Sequence, residues 1–141
     1  MGIAFDHVCA RCRLAGEKLF LKGEKCFPPK CPIVQRPYAP GIHGQRRRSP
    51  TAYGGQLKQK QALRAIYNIR ERQLRRYFRE ARAERGVTAD ALIVRLESRL
   101  DRIVYRLGFA YSQAHARQLV HHGLVTVNGR RVDSPSYTVK E

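Results

Sequence analysis

Apolar positions recur with a helical period along most of the chain beyond Ser49. Leu57, Leu63, Ile66 and Tyr67 fall on one side of a predicted helix that Ser49 caps and Pro50 opens. Asn68 is its predicted stop, because asparagine tolerates the left-handed backbone better than most residues. A second helix is predicted from Arg70 to Arg85, with Leu74, Tyr77, Phe78 and Ala81 on one face and Gly86 as its end. From Thr88, a predicted cap, the period runs unbroken through Leu92, Ile93, Leu96, Leu100, Ile103, Val104 and Leu107 to Gly108. Ser112 caps a last helix with a small apolar face of Ala114, Ala116, Leu119 and Val120, which Gly123 closes. Val125-Thr126-Val127 and Arg130-Arg131-Val132 then flank Asn128-Gly129, the signature of a tight hairpin with a type I′ turn. Tyr137-Thr138-Val139 reads as a further strand.

Residues 1–48 follow a different pattern. Leu19 to Phe27 alternate around Lys22-Gly23 and predict a short two-stranded ribbon, after which Pro28, Pro29, Pro32, Pro37 and Pro40 exclude regular structure up to Ser49. An apolar core alone is not expected to hold so small a segment. Cys9, Cys12, Cys26 and Cys31 form two close pairs of soft ligands, the arrangement that a tetrahedral structural zinc site needs. An iron–sulfur cluster, disulfides and free thiols are the alternatives. Four protein ligands leave no open position for water, so the expected metal is structural rather than catalytic.

Charge changes the picture from a small α+β chain to a nucleic-acid binder. The 28 Lys and Arg outnumber 11 Asp and Glu, a formal charge of +17 on 141 residues. A compact state so charged repels itself unless a polyanion accompanies it. Arg46, Arg47 and Arg48 form a basic loop beside Gly44, where guanidinium groups can reach phosphates. Basic residues also crowd Lys58 to Arg85. In the long helical stretch Arg95, Arg99, Arg102 and Arg106 recur at spacings of four, three and four, a predicted stripe on one face, with Glu97 and Asp101 within reach as partners. Arg117, Arg130 and Arg131 flank it. Tyr105 and Tyr111 read as core or hinge residues in preference to base-stacking platforms.

Catalytic patterns are thin. The sequence holds no Gly-rich nucleotide loop, no Gly-x-Ser-x-Gly and no His-Glu-x-x-His, and His115, His121 and His122 lack an acidic or cysteine neighbour, so they read as surface or RNA-facing groups. No apolar run approaches the roughly 18 residues that span a bilayer. The stretch MGIAFDHVCARC lacks the features of a signal peptide, and Asp6 makes a poor context for acylation at Gly2. The expectation is a soluble intracellular binding protein with no membrane partner and no small-molecule substrate.

The cysteine quartet, the stretch Arg36-Pro37-Tyr38 through Pro40-Gly41-Ile42-His43-Gly44-Gln45, the block Leu57-Lys58-Gln59-Lys60-Gln61-Ala62-Leu63-Arg64, and the run from Leu96 to Tyr137 together resemble the bacterial-type small-subunit ribosomal protein S4 family. The likeness covers essentially the whole chain. It implies an α+β fold in three parts: a zinc-stapled, loop-rich segment at 1–48, a small helical rRNA-binding domain at 49–94, and at 95–141 an S4 RNA-binding module of two helices on a small sheet. It also implies a scaffold, not an enzyme: a primary binder of 16S-type rRNA that nucleates assembly of the 5′ domain in a cytoplasmic or organellar ribosome. Arg46, Arg47 and Arg48 would lie near the channel by which mRNA enters, beside ribosomal proteins S3 and S5. Lys58, Lys60, Arg64, Arg72 and Arg76 would face an rRNA junction, and Arg99, Arg106, Arg117, Gln118, Asn128 and Arg130 would face RNA from the S4 module.

Three departures stand out. Gln113 and His115 occupy a turn where the family usually places a basic residue after the capping serine, which weakens the expected phosphate contact. Asn68 stands where glycine is common. Family members continue past Tyr137 with a turn, another strand and a segment that returns to the helical domain, so the module is expected to be incomplete at Glu141. Two other functions fit parts of the sequence. The S4 module also occurs in RNA-modification and ribosome-rescue factors, but there it is joined to other domains than residues 1–95 suggest. In a zinc-finger DNA binder a helix should follow the ligands closely, whereas proline-broken chain follows Cys31.

Overall fold

The computed structural model describes residues 8–45, 49 and 51–140, and the chain divides into two compact units, Met1–Ile66 and Tyr67–Glu141. The division falls inside the span 49–94 that the sequence reading treats as one domain.

The first unit is built from α1 (Val8–Ala15), α2 (Pro32–Gln35) and α3 (Ala52–Ile66). Its small core joins buried Cys12, Leu19 and Ala62 to the partly buried Ala15, Leu21, Ile33, Ala65 and Ile66. The N-terminal segment packs around this small apolar cluster, to which α3 lends the face of Ala62, Ala65 and Ile66. The ribbon expected over Leu19 to Phe27 does not form. Phe20 and Gly23 both adopt left-handed backbone, φ 51° and 62°, and the chain winds into a 3-10 turn over Gly23–Cys26. Two left-handed residues so close together reverse the chain twice, which extended pairing does not allow. Pro32 likewise starts a helix where it was expected to prevent one, since a proline at the first helical position has no N–H to satisfy.

Arg13 organises the loop that follows. Its Nε donates to the Tyr38 carbonyl at 2.9 Å, and the guanidinium lies 4.9 Å from the centroid of the Tyr38 ring. Gly44 closes against the same loop: a Cβ at this position would sit 1.8 Å from the Ala39 carbonyl oxygen. The cap of α3 is Thr51, two residues beyond the expected Ser49; its hydroxyl accepts the Gly54 N–H at 3.1 Å.

The second unit holds α4 (Glu71–Ala83), α5 (Thr88–Glu97), α6 (Leu100–Arg106), α7 (Gln113–His121), and strands β1 (Thr126–Val127) and β2 (Arg130–Arg131). Asn68 is left-handed at φ 50°, as expected of the turn before α4. In α4, Leu74, Tyr77 and Ala81 are buried, while Phe78 stays half exposed. Thr88 begins α5, and Val87 takes the cap position. Ser112 caps α7 by accepting the His115 N–H. Strands β1 and β2 pair antiparallel, Thr126 with Arg131 and Val127 with Arg130, across Asn128 and Gly129 at φ 51° and 76°, the two positive values that a type I′ turn requires. The core of this unit is Leu100, Val104, Ala110, Ala116 and Val120, with Leu119, Val125, Val127, Val132 and Val139 packed against it.

The unbroken helix expected from Thr88 to Leu107 is interrupted. Ser98 ends α5, and Arg99 is extended at ψ 139° before α6 begins. The cause lies far along the chain. The Val139 N–H donates to the Ser98 carbonyl at 2.9 Å, and the N–H groups of Leu100 and Asp101 donate to the carbonyls of Tyr137 and Pro135 at 2.8 and 3.2 Å. Thr138 thus bridges antiparallel to Arg99, and Tyr137-Thr138-Val139 pairs with the helix break rather than with the hairpin. A propensity pattern carries no trace of such a partner.

Candidate nucleic-acid interface

The interruption changes what the four arginines do. Arg99 turns inward and is 1% exposed, and its Nε and Nη2 bond Asp101 Oδ1 and Oδ2 at 2.9 and 2.6 Å. Its Nη1 donates to the Tyr77 hydroxyl at 2.9 Å, which also accepts from Gln73 Nε2. Burial opposes the charge on Arg99, but the Asp101 carboxylate outweighs it and raises the guanidinium's already high pKa. Arg99 was expected to face RNA; it is instead the buried tie between α4 and the α5–α6 break, with three of its N–H donors turned to Asp101 and Tyr77.

The other three are also paired. Arg95 reaches Glu80 at 2.7 Å and Glu84. Arg102, 7% exposed, donates through Nε to Glu97 at 3.1 Å and lies over the rings of Tyr67 and Tyr105. Arg106 shares the same carboxylate at 3.1 Å but remains at the surface. Tyr67 adds a hydroxyl donor to Glu97 at 2.6 Å. Burial alone pushes the Glu97 carboxyl up; the hydrogen bonds from Arg102, Arg106 and Tyr67, with the charge of Arg102, overcome it and bring the pKa down to about 2. Burial, followed by the bond to Glu97 and its charge, pushes the Tyr67 phenol up to about 12. Of the expected stripe, only Arg106 keeps an exposed side chain, and it carries a carboxylate.

Cations without such partners lie elsewhere in this unit. On α4, Arg72, Arg79 and Arg82 are exposed, and among the described residues none has a carboxylate within ion-pairing distance. Their spacing of seven and three places them on one face of the helix. Arg76, also exposed, pairs with Glu80 at 3.5 Å. Arg79 and Arg82 escape a reading guided by motif blocks, although their helical spacing from Arg72 is visible in the sequence. Arg130 and Asn128 are exposed on the hairpin, and Gln118 on α7. Arg117 is half-buried, with Nη1 bonded to the Asn68 carbonyl at 3.2 Å. Arg131 donates to the His122 carbonyl at 3.0 Å, closing the end of α7.

In the first unit Lys58 is exposed on α3, and Lys60 and Arg64 are half-buried there, Arg64 bonding Gln61 at 2.6 Å. Arg46, Arg47 and Arg48 lie outside the described residues.

No disulfide joins the four cysteines. Cys9 and Cys12 lie one turn apart on α1, Cys26 ends the 3-10 turn, and Cys31 immediately precedes α2. Burial raises the Cys12 thiol; a backbone hydrogen bond at Leu19 opposes this, and Cys26, Cys9 and Cys31 reinforce it. Cys26 Sγ accepts the Lys22 N–H at 3.3 Å. The thiols thus lie close enough to influence one another, yet among the described residues no group of three or more His, Cys, Asp or Glu is gathered tightly enough to hold a metal. No helix among them is long and apolar enough to cross a membrane.

A helical surface with exposed guanidinium groups, followed by a capped helix and an Asn-Gly hairpin, defines a surface suited to nucleic acid. Residues 5–97 match the family described as ribosomal protein S4/S9 N-terminal domain, and residues 98–141 match the S4 domain. Proteins named small ribosomal subunit protein uS4 are similar along nearly the whole chain. That of Thermus thermophilus is 57% identical over 141 residues, 99% of this chain and 68% of its own length. That of Acidithiobacillus ferrooxidans is 59% identical over 132 residues, 94% of this chain and 64% of its own. The protein of Syntrophomonas wolfei is 53% identical over 141 residues. The chain belongs to the uS4 family of small ribosomal subunit proteins, and spans about two thirds of the length of these relatives.

Proposed function

We propose that this chain is a structural, non-catalytic constituent of the small ribosomal subunit that binds 16S-type rRNA. The observation that carries the reading is the face of α4 where Arg72, Arg79 and Arg82 stand exposed and unpaired in a chain of the uS4 family. Guanidinium groups free of internal carboxylates can neutralise phosphates, and each phosphate neutralised releases counterions. Lys58 on α3, with Asn128 and Arg130 on the hairpin, adds contacts of the same kind. Residues 5–97 match a ribosomal domain, which favours this reading over an RNA-modification or rescue factor.

Within that role, the chain nucleates folding of the rRNA 5′ domain. Arg46, Arg47 and Arg48 act on incoming mRNA, beside ribosomal proteins S3 and S5, a role supported by their charge and the family resemblance. Cys9, Cys12, Cys26 and Cys31 hold one structural zinc ion, a step supported by their soft-donor chemistry and by the mutual influence of their thiols.

Footprinting on naked small-subunit rRNA tests the assignment. Protection confined to one helical junction in the 5′ domain is expected, and uniform protection of any duplex would overturn it.

A further inference from the structure

Tyr111 stands at the entrance to α7 with its ring laid flat on that of His115, the centroids 4.5 Å apart and the planes 4° from parallel. The Ser112 hydroxyl accepts the His115 backbone N–H at 3.3 Å and pins the first turn of α7, from which the His115 ring projects. Buried residues lie to either side in sequence, Ala110, Gln113 and Ala116. Tyr111 itself is 72% exposed. Its position has no packing explanation: the core runs through its neighbours, and His115 covers one face of its ring and leaves the other to solvent.

Three other tyrosines of this unit show the contrast. Tyr67 and Tyr77 are buried and bonded through their hydroxyls, and Tyr105 packs on the core beside Arg102. Tyr111 has a preformed stack and an open face. A flat aromatic surface of this kind suits a nucleobase, since every base has a π-face and stacking tolerates any sequence. Within a duplex those faces are already covered, so the base that fits is an unpaired one, from a loop or bulge. Gln118 stands one turn beyond His115 on the same side of α7, exposed, with an amide able to bond a base edge.

We propose that Tyr111 and His115 form a two-ring platform on which one unpaired base of the bound RNA stacks. This rests on the RNA-binding reading above and deepens it, by adding a contact that recognises single-stranded character where the arginines recognise phosphate.

The test uses the full chain with two RNAs, a transcript of the small-subunit 5′ domain and a perfectly paired duplex. Tyr111→Ala is expected to weaken transcript binding roughly ten-fold, within the range of one stacked base, with duplex binding unchanged. Tyr111→Phe, which keeps the ring, should bind like the parent chain, and ultraviolet irradiation should join Tyr111 to a nucleotide outside the helices. An unchanged affinity of Tyr111→Ala, or an equal loss on both RNAs, overturns the platform while leaving the ribosomal assignment standing. Failure of the parent chain to prefer the transcript over the duplex overturns both.

Discussion

Arg99 and Asp101 form a bidentate ion pair sealed from solvent, with side-chain exposures of 1% and 0%. Two residues apart across the start of α6, they meet because the backbone between α5 and α6 is extended at Arg99. Such a pair is sustained by geometry and by the Tyr77 hydroxyl, which takes a further guanidinium N–H.

Removing one member leaves the other charged and buried. Asp101→Ala is expected to destabilise the unit Tyr67–Glu141 by about 3–5 kcal/mol, whereas the apolar pair Arg99→Met with Asp101→Leu recovers most of the loss. Urea unfolding followed by circular dichroism checks both. Equal stability of Asp101→Ala and the parent chain would show that Arg99 finds water once its partner is gone.

Glu97 makes stability depend on acid. Its carboxyl falls from an ordinary 4.5 to about 2 in the fold, so its contribution is complete above about pH 4.5 and is lost as the pH falls towards 2. That shift corresponds to about 3 kcal/mol at most, and screening by solvent around this partly exposed group leaves roughly 1–2 kcal/mol at neutral pH. Glu97→Gln should therefore be less stable than the parent at pH 7, and the two should converge near pH 2. A gap that stays constant across this range would remove Glu97 as the source.

Gly44 is a tolerance test for the loop that Arg13 organises. A methyl group there meets the Ala39 carbonyl, which is backbone and cannot swing aside, so Gly44→Ala should cost about 1–3 kcal/mol. Thermal unfolding should show the loss, and limited proteolysis should find faster cleavage near residues 39–45.

The face of α4 predicts a change in salt dependence. If Arg72, Arg79 and Arg82 each neutralise one phosphate, replacing all three by Ala should reduce the slope of log affinity against log salt by about 2–3. Arg102→Ala should instead destabilise the fold and leave the slope of the folded fraction unaltered. Filter binding over a series of salt concentrations separates the two.

Zinc is tested by elemental analysis of chain purified without chelators. One ion per chain is expected, lost in Cys26→Ser together with order in the first unit. A metal-free chain with unchanged stability would assign that unit wholly to its Cys12, Leu19 and Ala62 cluster.

Features determined by short-range chemistry were legible in the sequence. Asn68 before α4, Ser112 capping α7 and Asn128-Gly129 in the hairpin each follow from what one or two side chains permit. The family resemblance was legible too, because four blocks recur in order. What escaped depends on partners remote in sequence. The period through Leu96, Leu100 and Val104 is continuous, so nothing local announces that residues 135–139 split it. Placing Arg95, Arg99, Arg102 and Arg106 in one stripe assumed an intact helix; Glu97 and Asp101 were legible as partners, but the split that sends Arg99 inward and the reach of Arg95 to Glu80 and Glu84 were not. At Leu19 to Phe27 the alternation was real, but left-handed Phe20 could not be foreseen from it.

The bridge between Arg99 and Thr138 also bears on the order of folding. When residues 88–107 first leave the site of synthesis, no carbonyl from 135–137 is present to take the N–H groups of Leu100 and Asp101, and the local pattern favours one continuous helix. The bridge therefore closes a loop of about forty residues, the kind of non-local contact whose entropic cost slows the assembly of a fold.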